Sequence, residues 1–110
     1  MHKMVKYLKE KQGLTYRDEG SWCYAYKVIP HSNVFHVGYL YLEEENRGTN
    51  MSKIIWKTVS KNAREHNCEY VSGEVDLKEL NISRSLRFLL NLGFEKRYED
   101  TDSILLYKKV

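Results

Sequence analysis

The chain has 110 residues, with 18 lysines and arginines against 15 aspartates and glutamates, and a formal net charge of +3. That length suits one domain over 1–110 with a single core, and 42% apolar with 30% charged residues excludes a disordered chain. No apolar run is long enough to span a bilayer and no signal-peptide core opens the chain, so the expected location is cytoplasmic and no membrane partner is expected.

Met4, Val5 and Leu8 recur at helical spacing in a short lysine-rich lead, which Gln12-Gly13 ends. Leu14 to Arg17 then reads as a strand, Asp18-Glu19-Gly20-Ser21 as a hairpin turn, and Trp22 to Ile29 as the next strand. Pro30 to Asn33 form a second turn before the longest strand, Val34 to Leu42, so these three strands make an antiparallel meander. The polar turn Glu43-Glu44-Glu45-Asn46 and the segment Arg47 to Ser52 lead into an amphipathic helix from about Met51 to His66. Its apolar stripe is Ile55, Trp56, Val59 and Ala63, with Asn50 or Ser52 as N-cap.

Glu69 to Val75 is a fourth strand, and the helix before it implies that it runs parallel to Val34–Leu42. A second helix from about Leu80 to Leu92 stops at Gly93. Glu95 to Tyr98 and Ser103 to Lys108 close the chain as a hairpin around Asp100-Thr101-Asp102. The expected fold class is α+β, with an α/β-like unit inside it: a mixed, mostly antiparallel central sheet of about six strands and two main helices.

Cys23 and Cys68 are too few and too far apart for a metal-ligand pattern, so they read as free thiols and no metal is expected. Lys53, Lys57, Lys61 and Arg64 fall opposite Ile55 and Val59. They read as a solvated helix face, with docking of an acidic protein, nucleic acid or, for Lys53, a cofactor phosphate as alternatives. Trp22, Tyr24, Tyr26, Tyr39 and Tyr41 suit sheet packing, and without a basic surround they do not make a base-stacking platform. Nucleic acid is therefore not the expected partner, whereas the open edges of a small sheet leave room for a homodimer.

The strand Gly38-Tyr39-Leu40-Tyr41-Leu42, the glycine-containing turn and the helix start form a unit in which backbone N–H groups and the helix dipole can hold an anion. Followed by a strand, a second helix and Leu92-Gly93-Phe94, this order resembles the GNAT superfamily of acyl-CoA-dependent N-acetyltransferases from about Val34 to Val110. The resemblance implies acetyl-CoA as co-substrate. In that family a turn Arg-Gly-x-Gly-x-(Gly/Ala) cradles the pyrophosphate. Here Arg47 and Gly48 match it, while Asn50 and Ser52 stand where it has glycine and glycine or alanine. Asn best tolerates a left-handed backbone and Ser is small, yet each places a Cβ where a phosphate comes close. By the same resemblance the cofactor-binding residues are Arg47, Gly48, Thr49, Asn50, Met51, Ser52 and Asn81, with Leu40, Tyr41 and Leu42 holding pantetheine through their backbone.

The acceptor amine must lose a proton before it attacks, which makes His36 and Glu74 the candidate bases. Many family members carry a tyrosine on the second helix that protonates the leaving thiolate. Counted from Asn81 that position is Phe88, and counted from Leu92-Gly93-Phe94 it is Leu89. The family's two N-terminal helices also have no counterpart among the few residues before Gly13, so an open cleft and a protein lysine or N-terminus as acceptor are expected. The alternative is a GNAT-like fold with weak or no catalysis that acts as a protein-binding inhibitor or adaptor.

Overall fold

The computed structural model of the protein describes residues 13–42, 51–78 and 82–110. Among the described residues there are six strands: β1 (Thr15–Asp18), β2 (Trp22–Val28), β3 (Val34–Leu42), β4 (Tyr70–Asp76), β5 (Glu95–Glu99) and β6 (Ser103–Lys109). The described residues also hold two helices, α1 (Met51–Glu65) and α2 (Ile82–Asn91). The strands make one sheet in the order β1-β2-β3-β4-β6-β5. Among these described strands only β3 and β4 pair in parallel, across the α1 connection; the other four pairs are antiparallel. The expected α+β architecture is thus the one observed.

Local differences from the sequence reading have simple causes. β1 begins at Thr15 because Leu14 leaves the ladder and buries its side chain, 3% exposed, against Cys23 and Ala25. Helix α1 starts at Met51, so Ser52 lies inside its first turn and does not cap it. Asn50, the other capping candidate, lies outside the described residues, as does the lead holding Met4, Val5 and Leu8.

Both helices end the same way. In α1 the Cys68 N–H donates to the Ala63 carbonyl and the Asn67 N–H to Arg64, with Asn67 at a φ of 60°. In α2 the Phe94 N–H donates to Leu89 and the Gly93 N–H to Leu90, with Gly93 at 98°. These paired bonds satisfy carbonyls that the helix itself leaves open, and the left-handed residue makes them reachable.

The main core lies between one face of the sheet and the two helices. Ile55, Val59 and Ala63 repeat at one-turn spacing on α1 and pack over Tyr24, Phe35, Val71, Val75 and Leu106. Asn62 joins this buried stripe, and its Nδ2 donates to the Tyr24 Oη at 2.8 Å. At the far end Trp56 meets Phe94 edge to face, with centroids 5.6 Å apart, while the Lys108 Nζ sits 4.3 Å over the Trp56 ring and donates to the Leu92 carbonyl. Those contacts clamp the end of α2 to α1.

Strand β3 carries one residue more than its partner β2. Ala25 faces Tyr39 and Tyr26 faces Val37, which leaves Gly38 as a bulge. The side-chain alternation therefore changes phase at Gly38. Phe35 and Val37 face the main core before it, and Leu40 and Leu42 after it. Tyr39 and Tyr41 turn to the opposite face, beside Leu14, Cys23 and Ala25.

Candidate functional site

The bulge stands where the parallel pair comes apart. The β3–β4 ladder runs from Val34↔Tyr70 to Val37↔Gly73 and goes no further, although β3 continues to Leu42 and β4 to Asp76. A bulge bends and twists its strand, and this one directs the rest of β3 away from β4. The gap opens into a cleft of about 940 Å³. Leu40, Tyr41 and Leu42 form one wall and Gly73, Glu74 and Val75 the other, while both helices contribute to its lining.

Helix α1 brings Met51 and Ser52 from its first turn, then Ile55, Trp56 and Val59 from deeper along its apolar stripe. The start of a helix carries unsatisfied N–H groups and a partial positive charge, so this wall suits an anionic group. Helix α2 contributes Ser85, Phe88 and Leu89, which share one face at offsets of three and four residues, and Leu92 follows just past its end. Arg84 and Asn91 complete its contribution. Gly73 keeps the β4 wall low: a Cβ there would stand 3.4 Å from the Leu89 Cδ1.

The two candidate bases are placed differently. Glu74 lines the cleft and is exposed to solvent. His36 is absent from the lining. It is the register partner of Ser72, and its Nδ1 lies 2.8 Å from the Ser72 Oγ, one residue before the strands separate. Burial lowers the His36 pKa below its ordinary 6.5, and nearby Lys27 lowers it further, so the ring is neutral at pH 7. Burial likewise raises the Tyr39 phenol above the ordinary value and keeps it protonated. No group of three or more His, Cys, Asp or Glu among the described residues could hold a metal ion. No helix among them is long and apolar enough to cross a membrane.

No family model matches the chain, and no curated protein does. Solved structures do. A proposed acetyltransferase of the GNAT family from Desulfovibrio desulfuricans superposes with a TM-score of 0.75 at 12% identity, over 94% of this chain and 74% of that one. The PaiA N-acetyltransferase from Thermoplasma acidophilum, in complex with coenzyme A, gives 0.70 at 15% identity over 94% of this chain and 66% of that one. A chain of the NatC complex bound to Gag peptide and CoA gives 0.62 at 19% identity, over 97% and 78%. The chain has the GNAT fold.

Within that GNAT fold the residues named from sequence fall into three groups. Leu40, Tyr41, Leu42, Met51, Ser52 and Glu74 come together around one cleft. His36 lies beside it. Arg47, Gly48, Thr49, Asn50 and Asn81 lie outside the described residues. Phe88 and Leu89 both line the cleft, so either count for the family tyrosine arrives at its wall, and neither brings a hydroxyl. Ser85, Arg84 and Trp56 were missed by the sequence reading. Ser85 was findable one turn before Leu89, and Trp56 one residue after Ile55, but neither position announces itself without a cleft to line.

Proposed function

We propose that the protein is an acyl-CoA-dependent N-acetyltransferase that moves acetyl from acetyl-CoA to an amine of a protein, a lysine side chain or an N-terminus. The observation that carries this reading is the parting of β3 from β4 beyond Val37↔Gly73, with a cleft in the gap. The donor set fits the co-substrate: two strand backbones for the amides of a pantetheine arm, and a helix start at Met51 and Ser52 for an anionic group. In this reading Leu40, Tyr41 and Leu42 hold the arm through their backbone. Arg47, Gly48, Thr49, Asn50 and Asn81 add to the cofactor site.

The chemistry asked of the chain is modest. Glu74 lies in the cleft wall and takes the acceptor's proton, directly or through water, since an alkylammonium with a pKa near 10 must be neutral before it attacks. The nitrogen bonds to the thioester carbonyl carbon, the C–S bond breaks, and the thiolate leaves with a proton from solvent, giving an amide and CoA. A thiolate is a fair leaving group without help, so Phe88 and Leu89 in place of a proton donor slow the step but do not forbid it. His36, neutral and bonded to Ser72, holds the base of the gap. A peptide acceptor is supported by the NatC chain, whose structure has a bound peptide.

A second reading, a protein-binding module with little catalysis, is favoured by the lack of a hydroxyl at Phe88 and Leu89. Calorimetric titration with acetyl-CoA and with CoA separates the two. Micromolar binding that Ser52→Trp weakens at least about tenfold supports the enzyme, and no binding up to roughly 500 μM overturns it.

A further inference from the structure

Beyond the acyltransferase reading, we propose that the outer surface of the two helices binds duplex nucleic acid through its phosphate backbone. Lys53, Lys57, Lys61 and Arg64 follow one another along α1, and all four are exposed. They lie opposite Ile55, Val59 and Ala63, which pack on the sheet, so they point away from the fold. Helix α2 lies on the same side of the sheet and adds exposed Arg84 and Arg87. The two helices thus carry six cations against one acid, Glu65. In the rest of the described chain nine acids outnumber seven bases, and the ion pairs Arg17–Glu19, Lys78–Asp102 and Lys96–Glu99 all lie there. None of the six helix cations has an ionic partner among the described residues. The net charge of +3, too small by itself to suggest nucleic acid, is an average over two unlike surfaces.

The composition of this surface selects the partner. Ile54 and Leu90 are the large apolar side chains that the helices expose, one on each. The buried centre of a protein interface is apolar and poor in lysine, whereas nucleic-acid interfaces are polar and strongly positive. Trp56 and Phe88, the aromatic residues of the two helices, line the cleft instead. The outer surface therefore offers no ring to an unstacked base, the contact that holds single strands, and fits the backbone of a duplex. Lys53 to Arg64 spans about 16 Å along the helix, with about 6 Å between successive lysines. A duplex presents about one negative charge per 1.7 Å of its axis, so each cation can find a phosphate. Contacts of this kind position the protein without reading sequence.

The test is fluorescence anisotropy of the whole chain with labelled DNA and RNA duplexes and a labelled glutamate-rich peptide, at about 50 to 200 mM salt. Four phosphate contacts predict an affinity that falls about a hundredfold across that range. Binding confined to one of the two duplexes supports the proposal and names the polymer. Lys57→Gln combined with Lys61→Gln is expected to weaken binding at least about tenfold and to roughly halve the salt dependence. The same charge change at Lys27 and Lys109, exposed on β2 and β6, is expected to cost less than about twofold, because salt screens distant charges. Equal losses in the two double variants would assign binding to net charge and overturn the proposal. So would tighter binding of the peptide, or no binding of either duplex at roughly 100 μM chain in the lowest salt. Neither result bears on acetyl-CoA binding, so the acyltransferase reading stands or falls separately.

Discussion

Helix α1 forms one side of the cleft, and a single buried polar contact fixes how it lies on the sheet. Tyr24 is fully buried, Asn62 is 5% exposed, and the Asn62 Nδ2 donates to the Tyr24 Oη at 2.8 Å. Tyr24→Phe removes the acceptor and leaves a buried amide N–H without it, which costs about 1–3 kcal/mol, more than the net worth of the bond. Asn62→Leu strands the phenol in the same way and carries a similar cost. The double variant places two apolar groups face to face, and its loss falls well short of the sum of the singles, by about 1–2 kcal/mol. Urea denaturation of the four proteins, with a common m-value, measures the cycle. In a domain of this size each kcal/mol is also about 4–8 °C of Tm. Purely additive losses, or a Tyr24→Phe variant as stable as the parent, would refute the claim that this bond seats α1.

Two further predictions concern the base of the gap. Because burial holds the folded-state pKa of His36 below 6.5, the unfolded chain binds the additional proton, and stability falls as the pH drops from about 7 through 6.5 toward the folded-state value. His36→Gln is expected to flatten that part of the pH–stability curve; an identical slope in the variant would show that the proton is taken up elsewhere. Gly38→Val places a Cβ 3.0 Å from the Leu14 Cδ1 at the bulge, and overpacking of this kind costs about 1–3 kcal/mol. Leu14→Ala in the same chain is expected to recover part of the loss, read by thermal unfolding, and no recovery would mean that the cost lies in the backbone of the bulge.

Much of this architecture is legible along the chain, for reasons that can be named residue by residue. Alternation and turn residues place β2 and β3, the one-turn repeat Ile55-Val59-Ala63 gives α1 its buried face, and Gly93 stops α2 where a left-handed residue is needed. The helix between β3 and β4 dictates a parallel pair, because two parallel neighbours cannot be joined by a tight turn. These are local requirements of backbone and period, and the sequence alone determines them.

The cleft belongs to the tertiary structure. Gly38 reads as an ordinary strand glycine, and only pairing with β2 makes it the extra residue that changes the phase of β3. The sequence places His36 and Glu74 on neighbouring strands as candidate bases, yet register sets His36 against Ser72 below the gap and Glu74 in its wall. Ser85, Phe88 and Leu89 gain a shared role only once α2 lies over Gly73. Periodicity is a property of a segment, so a segment suffices to reveal it. A site is a property of distances between segments, and those are decided by packing and register.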